Sequence, residues 1–383
     1  MIWSLILPIA GVLAGAVASW RGAMVRSWWH AMAAQSASRA STPSICVVIP
    51  ARDEEESLPG LLRSLKAQSS ASGKPLDPRI LVVDDGSRDN SAGIAHDSGA
   101  KVIALSSEHA AAGNPKAKAL AKAESLIEGE VVVFIDADVV LSSPDALATL
   151  AEAVRSAPGD LFSVQPFHRC NGFVESLAIL PNVVALMASG ALAAGNAAFG
   201  SKVAFGPVIA MDAARYRAVG GHGAVADSVV EDAALAERVR AAGGVAHVLP
   251  GADRVWFRMY PQGLRQQFEG FTKNLALGAR AAASWPALLA FLWILGLYSS
   301  LAASLHPMPS ASAALVAWAP LLAYVAELVA LSRVAGRYSW WIYPLVSVAA
   351  VFFLAVSVTS LFRTVVLRQV RWKGRSIRIG GGR

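Results

Sequence analysis

Two patterns of apolar residues alternate along this chain. Long uncharged runs lie toward its ends, and short apolar runs interleaved with helical spacing fill its middle. Ile2–Trp20 carries no charge over 19 residues, about the length of helix that crosses a hydrocarbon core of roughly 30 Å. Trp285–Leu305 and Trp340–Phe362 are also uncharged, and Ala313–Leu331 is interrupted by Glu327 alone. Trp3, Trp20, Trp28, Trp29, Trp285, Trp340, Trp341 and Tyr343 gather at the ends of these runs, where an amphipathic ring bridges headgroup and hydrocarbon. Buried core helices would also be apolar, but four runs of this length predict an integral membrane protein. Ala16-Val17-Ala18 resembles a signal-peptide cleavage site. The missing basic n-region, and Arg21 and Arg26 just beyond, favour an uncleaved anchor.

Between the anchors the period changes. Ile45–Ile49, Ile80–Val83, Val102–Leu105 and Val131–Ile135 are four- or five-residue apolar runs rich in β-branched residues. Helical patterns follow them over Glu54–Gln68, Ser91–Ser98, Lys116–Ile127 and Glu231–Ala241. Continuous apolar strands alternating with helices predict a mostly parallel sheet covered on both faces. Ligands of such sheets bind beyond the carboxyl ends of the strands. Four segments are therefore expected: an anchor and basic linker over 1–40, a cytosolic α/β domain over 41–284, transmembrane segments over 285–362, and a basic tail over 363–383.

The net charge of +7 and a pI near 9.6 suggest nucleic acid until the charges are located. Residues 1–40 hold three basic groups and no acid, and residues 363–383 hold seven and no acid. Ser41–Ser284 has 22 basic against 26 acidic residues. The basicity thus flanks apolar runs and the middle is mildly acidic, so a membrane rather than nucleic acid is the expected partner. The positive-inside rule places residues 21–284 in the cytosol. Three full crossings after Ser284 would put the basic tail outside, against the same rule. Either one apolar run is re-entrant or interfacial, or the tail is an exception to the rule; a cytosolic tail is expected. Cys46 and Cys170 are too few for a disulfide framework or a four-cysteine zinc site.

Three strand ends carry Arg52-Asp53-Glu54, Asp84-Asp85 and Asp136-Ala137-Asp138. Carboxylates converging at one edge stay ionised only beside cations or donors. A divalent ion shared with a diphosphate meets that need, since Mg²⁺ takes one or two carboxylates plus phosphate oxygens. Along an extended end, alternation would point Asp136 and Asp138 the same way. Turn chemistry alone also produces Asp-Gly and Asp-Ser pairs. Their repetition after apolar strands favours the functional reading. There is no GxGxxG or P-loop, which argues against a Rossmann dehydrogenase or an NTPase.

Taken in order, VVIPARDEEE (47–56), VVDDGSRDN (82–90), NPKAKAL (114–120), FIDADV (134–139), GPVIAMDAARYRAVGGH (206–222) and VEDAALAERV (230–239) resemble glycosyltransferase family 2. The segment FRMYPQGLRQQFEGFTKNLALGA (257–279) is most similar to the membrane-bound carotenoid glycosyltransferases within it. The resemblance implies a GT-A fold and inverting, metal-dependent transfer of a hexose from a nucleotide diphosphate. A UDP-sugar is the first donor expected, Mg²⁺ or Mn²⁺ the cofactor, and a carotenoid or terpenoid lipid the acceptor. It further implies that Pro50, Arg52, Glu54, Asp84, Lys116, Asp136 and Ala137 bind the donor, with Asp84 reading the base. Asp138, with Asp136, would hold the metal, and Asp232 would be the catalytic base. Pro115 stands where the family has glycine, Arg52-Asp53 replaces Tyr-Asn, and Gln267–Phe271 lacks the Arg-Trp of polymer-making members.

At the start of a helix, the N-terminal dipole is expected to keep Asp232 ionised. Arg258, Arg265 and Lys273 are candidate cations for the departing diphosphate, and His222 is the histidine nearest the acceptor-side motif. The uncharged stretch Phe173–Phe199 (apart from Glu175) and Tyr260–Arg280 read either as plain core helices or as helices at the membrane interface that present a lipid acceptor. Two other readings compete: a polyprenyl-phosphate sugar transferase, and a non-enzymatic membrane protein with a degenerate sugar-nucleotide domain.

Overall fold

The computed structural model describes residues 3–105, 114–193, 200–228, 230–281, 284–307, 310–367, 369–372 and 375–378. Residues 194–199 of the expected interfacial stretch, and Arg368, Lys373 and Arg383 of the tail, lie outside that set. The chain divides into two compact units, each discontinuous in sequence. The first comprises Met1–Ala23, His168–Phe199 and Met259–Arg383, and the second Met24–Phe167 and Gly200–Arg258.

In chain order the elements begin with α1 (Trp3–Ser19), α2 (Met24–Ala37), β1 (Ile45–Ala51), α3 (Leu58–Lys66), β2 (Arg79–Asp84), α4 (Ser91–Asp97) and β3 (Lys101–Ala104). Next come α5 (Pro115–Ala123), β4 (Val131–Ile135), β5 (Val139–Leu141), α6 (Ala146–Ser156), β6 (Leu161–Gln165) and β7 (Phe167–Arg169). Then follow α7 (Gly172–Ser176), α8 (Ile179–Ala188), β8 (Val208–Asp212), α9 (Ala213–Ala218), α10 (Glu231–Ala241), β9 (Ala246–Pro250) and β10 (Val255–Phe257). The last are α11 (Leu264–Ala281), α12 (Trp285–Ser304), α13 (Ala311–Ala335), β11 (Gly336–Arg337), α14 (Val346–Val365), β12 (Gln369–Trp372) and β13 (Arg375–Arg378).

The second unit is built on a seven-stranded sheet ordered β3-β2-β1-β4-β8-β6-β9. The apolar runs read from the sequence form its parallel half, β3 to β4, with Val48 opposite both Leu81 and Phe134. Beyond β4 the sheet becomes mixed, because β8 pairs antiparallel with both β4 and β6. One face buries Val48, Leu81, Phe134, Ile209 and Tyr216 against Leu120 of α5 and Leu235 of α10. Within the 1–40 segment, Met24–Ala37 forms helix α2, which packs on α6. Trp29 anchors it, buried to 1% exposure with its indole donating to the Pro250 carbonyl at 2.9 Å. A buried indole with its N–H satisfied contributes both area and direction to that packing.

The first unit holds α1, α12, α13 and α14, and among the described residues four helical segments are long and apolar enough to cross a membrane. Within it α1, α12 and α13 pack on one another. Gly11 of α1 and Gly296 of α12 meet so closely that a Cβ on Gly296 would lie 2.9 Å from the Leu7 carbonyl and 3.1 Å from the Gly11 Cα. Tyr324 of α13 sits at this crossing and donates to the Pro8 carbonyl at 3.1 Å. Close glycine contacts of this kind let apolar helices pack where no hydrophobic driving force separates them from lipid.

Candidate active site

The ends of β1 and β2 are laced together by their acidic loops. Asp85 donates its backbone N–H to the Ala51 carbonyl at 2.9 Å. Arg52 donates from Nη1 to the Asp85 carbonyl and carboxylate, both at 3.0 Å. The neighbouring aspartates therefore divide the work. Asp84 is buried and accepts from the Ser87 N–H at 3.1 Å and from the Ser87 hydroxyl. Asp53 adopts a left-handed backbone (φ 53°) and accepts from the Arg88 N–H at 2.8 Å. Glu54 accepts from the Ser57 hydroxyl at 2.6 Å.

A second cluster lies in a cleft lined by Pro50, Lys116, Asp136, Gly206, Glu231 and Asp232. Its geometry starts with Asn114. The Asn114 side chain caps α5, accepting from the N–H groups of Lys116 at 3.0 Å and Ala117 at 3.4 Å. Pro115 follows at the first helical position, where its fixed φ suits a helix start and its missing N–H costs nothing. The departure from the family's glycine is thus compatible with the helix. The Asn114 amide also donates to Glu231 at 2.6 Å and to the Ser228 carbonyl at 3.1 Å. One side chain ties the starts of α5 and α10 together.

Lys116 then reaches Asp136 at 2.5 Å and Glu231 at 3.7 Å. Burial works against its charge, but Asp136, Glu231 and Asp232 outweigh that and raise its pKa. Gly206 leaves room for this contact: a Cβ there would lie 3.1 Å from the Asp232 carboxylate and 3.3 Å from Lys116 Nζ. Asp232 accepts from the Ala233 N–H at 2.8 Å. Its pKa is nevertheless pushed up to about 7, first by burial and then by Glu231. The expectation that the helix dipole keeps it ionised fails for that reason. A dipole is worth about 0.3–1 kcal/mol at a surface, less than burial beside a second carboxylate.

Asp136-Ala137-Asp138 does not continue β4 in extended form. The Val139 N–H returns to the Asp136 carbonyl at 3.1 Å, making a turn, so strict alternation of the side chains does not apply. Ala137 is buried at 3% exposure and presents no polar side chain. Burial raises the pKa of Asp136 against the pull of Lys116. Burial, then Asp136 and Glu54, bring Asp138 up to about 7. Glu54 is the electrostatic link between the β1 loop and this turn. Among the described residues no three His, Cys, Asp or Glu side chains form a complete metal-ligand set. Two crowded carboxylates fit an ion that completes its shell with water and phosphate, as Mg²⁺ does.

His222 is buried and bonded to the Tyr216 hydroxyl at 2.9 Å, edge-on to Phe134 at 4.6 Å. Burial lowers its pKa to about 4, so it is neutral near pH 7. His247 pairs with Asp160 at 2.7 Å. Arg265 pairs on its own helix with Glu269 at 3.4 Å, whereas Lys116 sits among the carboxylates.

A glycosyl transferase family 2 profile matches residues 46–178. The 4,4'-diaponeurosporenoate glycosyltransferase of Staphylococcus haemolyticus is 32% identical over 346 residues, covering 88% of this chain and 90% of that protein. The chain belongs to glycosyltransferase family 2. The protein of the same name from Staphylococcus aureus strain USA300 is 28% identical, covering 88% of each chain. This family 2 glycosyltransferase also shares its fold with the mannosyltransferase PcManGT of Pyrobaculum calidifontis, solved with GDP-Man and Mn²⁺. That likeness has a TM-score of 0.52 at 17% identity, over 93% of this chain and 99% of the other. The GT-A architecture and the enzyme class expected from the six motifs therefore hold.

Asn114 and Glu231 escaped assignment from the sequence, although both fall in quoted motifs. The readable signal was Asn-Pro before a helical pattern, an N-cap followed by a first-turn proline.

Proposed function

We propose that the protein is a membrane-anchored, inverting glycosyltransferase that moves a hexose from a nucleotide-diphosphate sugar, UDP-linked first, to a carotenoid or other terpenoid lipid. Its catalytic unit faces the cytosol, and the apolar helices hold it to the cell membrane as a multi-pass protein. The observation that carries this reading is the likeness to two 4,4'-diaponeurosporenoate glycosyltransferases over 88% of the chain.

The site supports a division of labour. Arg52, Glu54 and Asp84 line the nucleotide side with Pro50, and the Asp84 carboxylate reads the base. Asp136 and Asp138 would hold Mg²⁺ or Mn²⁺ on the diphosphate, and the bound ion would offset the charge of the leaving group. Lys116 keeps Asp136 oriented and adds positive charge where the diphosphate departs. Ala137 acts through its backbone and shape alone. Asp232, with its pKa up to about 7, is poised to take a proton from an alcohol acceptor. A carboxylate acceptor arrives deprotonated near pH 7, and Asp232 then orients it.

The test uses the purified full chain with Mn²⁺, a panel of UDP- and GDP-sugars, and three acceptors: a carotenoid carboxylic acid, a carotenoid alcohol and a polyprenyl phosphate. Mass spectrometry should find a glycosyl ester or glycoside of the carotenoid. Glycosylation of the polyprenyl phosphate alone would replace the proposal with the competing enzyme reading. Absence of both transfer and donor hydrolysis would overturn it in favour of a degenerate domain.

A further inference from the structure

Among the described residues four helical segments qualify by length and composition as membrane spans, but the packing within the first unit treats them differently. In one bundle, Trp293 of α12 donates to Glu327 of α13 at 2.8 Å. A Cβ on Gly15 of α1 would lie 2.7 Å from that same carboxylate. From the crossing of Gly11, Gly296 and Tyr324 to this level, residue numbers rise in α1 and α13 and fall in α12, so α12 and α13 are antiparallel, and the start of α12, the end of α13 and the end of α1 lie at one end of the bundle. Gly22 near Val334 (3.7 Å from a Cβ on the glycine) confirms that end. His168, where the chain re-enters this unit, pairs there with Gly336 of β11.

Helix α11 begins at the same end. Gln267 donates to the Glu175 carbonyl at 3.0 Å, and the adjoining Ser176 accepts from the Ser339 N–H at 2.8 Å, just past α13. Helix α11 also finishes there. Ala281 is four peptide steps from Trp285, a reach of at most about 14 Å at ~3.6 Å per residue, under half of a ~30 Å core. A helix with both ends on one side does not cross. Its sequence agrees, since Arg265, Gln266, Glu269 and Lys273 interrupt its apolar positions and charges inside a bilayer are costly.

Helix α14 follows α11. Phe268 meets Phe352 edge-on at 6.2 Å, and Ser360 donates to the Thr272 carbonyl at 2.6 Å. Strand β12, beyond the end of α14, still touches α11. We infer that α14 does not span the bilayer: it lies parallel to α11, and the two helices are seated together on the cytosolic leaflet, leaving the basic tail on the catalytic side. The apolar stripe Val351, Leu354, Val358, Leu361 and Val365 is exposed along α14 and faces acyl chains. The basic residues beyond it match the anionic headgroups of that leaflet. Three crossings, α1, α12 and α13, then satisfy the positive-inside rule at both ends of the chain.

This inference rests on the membrane-anchored reading, and one experiment separates the two. Single cysteines replace Lys74 in the catalytic unit, His306 between α12 and α13, and Ser376 in the tail. Each full-length variant is labelled with a membrane-impermeant maleimide in right-side-out and in inverted vesicles, against the unsubstituted chain. Lys74→Cys and Ser376→Cys should label at least tenfold more in inverted vesicles, and His306→Cys in right-side-out ones. If Ser376→Cys labels with His306→Cys, α14 crosses and the inference is overturned while anchoring stands. If all three label equally from both sides, the membrane reading fails and the inference with it.

Discussion

Replacing Asn114 with alanine removes two things that the structure assigns to one side chain. The first is the cap of α5, accepting from Lys116 and Ala117 N–H, worth about 1 kcal/mol. The second is the 2.6 Å hydrogen bond to Glu231, worth about 1.5–3 kcal/mol as a bond to a charged acceptor. Together they predict a loss of about 2.5–4 kcal/mol, if the two are additive. For a body of roughly 200 residues at about 2–4 °C per kcal/mol, the Tm should fall by about 5–15 °C. Asn114→Asp separates the two contributions. It keeps the cap but turns a carboxylate toward Glu231, so near pH 7.5 it should be no more stable than Asn114→Ala. Differential scanning fluorimetry of the detergent-solubilised chain measures both. Turnover should fall by about 10–100-fold in each, since Glu231 and Asp232 lose their fixed position. An alanine variant within 1 °C of the parent, or an aspartate variant clearly more stable than the alanine one, would refute the reasoning.

Three further outcomes are expected. Asp138 and Asp232 titrate near 7 when folded against about 3.9 unfolded. Their contribution to stability is therefore lost as pH rises from 4 to 7, while the burial of neutral His222 acts in the opposite sense over the same range. In chelator-treated protein the Tm of the Asp138→Asn, Asp232→Asn double variant should gain on that of the parent as pH rises from 4 to 7, and a constant difference contradicts the burial of these carboxylates. Asp232→Asn should lower turnover on a carotenoid alcohol by about 10²–10⁴-fold and on a matched carboxylate much less, and equal losses on both would remove its role as a base. Gly296→Ala would place a methyl 2.0 Å from the Tyr324 hydroxyl and 2.9 Å from the Leu7 carbonyl, at a cost of about 1–3 kcal/mol. Thermal unfolding of this variant with Tyr324→Phe should recover only part of the loss, because the backbone clash stays.

The parallel half of the sheet was legible because fully buried strands must read as unbroken β-branched runs. Helix α10 was legible from its acids and period. The antiparallel β8 was not, since Val208–Asp212 reads like any other strand and its direction is set by pairing partners far away in sequence. Helix α2 escaped because its composition is that of a basic linker, and the burial of Trp29 depends on Pro250. At the site, residue types were readable but ionisation was not. The pKa of Asp232 depends on Glu231, Lys116 and burial, all supplied by chain contacts rather than by neighbours in sequence. The turn at Asp136–Val139 likewise depends on one backbone hydrogen bond that alternation does not foresee.

The glycine crossing of α1 and α12 has a consequence for synthesis. Ser19 and Trp285 are 266 positions apart, and a ribosome adds about 5–20 residues per second, so tens of seconds separate the two helices. Throughout that interval Gly11 and Gly15 of α1 lack the residues of α12 and α13 that later cover them. Assembly of the bundle is therefore the closing event, and its partners must find a helix that has already been placed. A chain stopped before Tyr324 would leave the notch at Gly11 and Gly296 unfilled. The first helix made is the last to be completed.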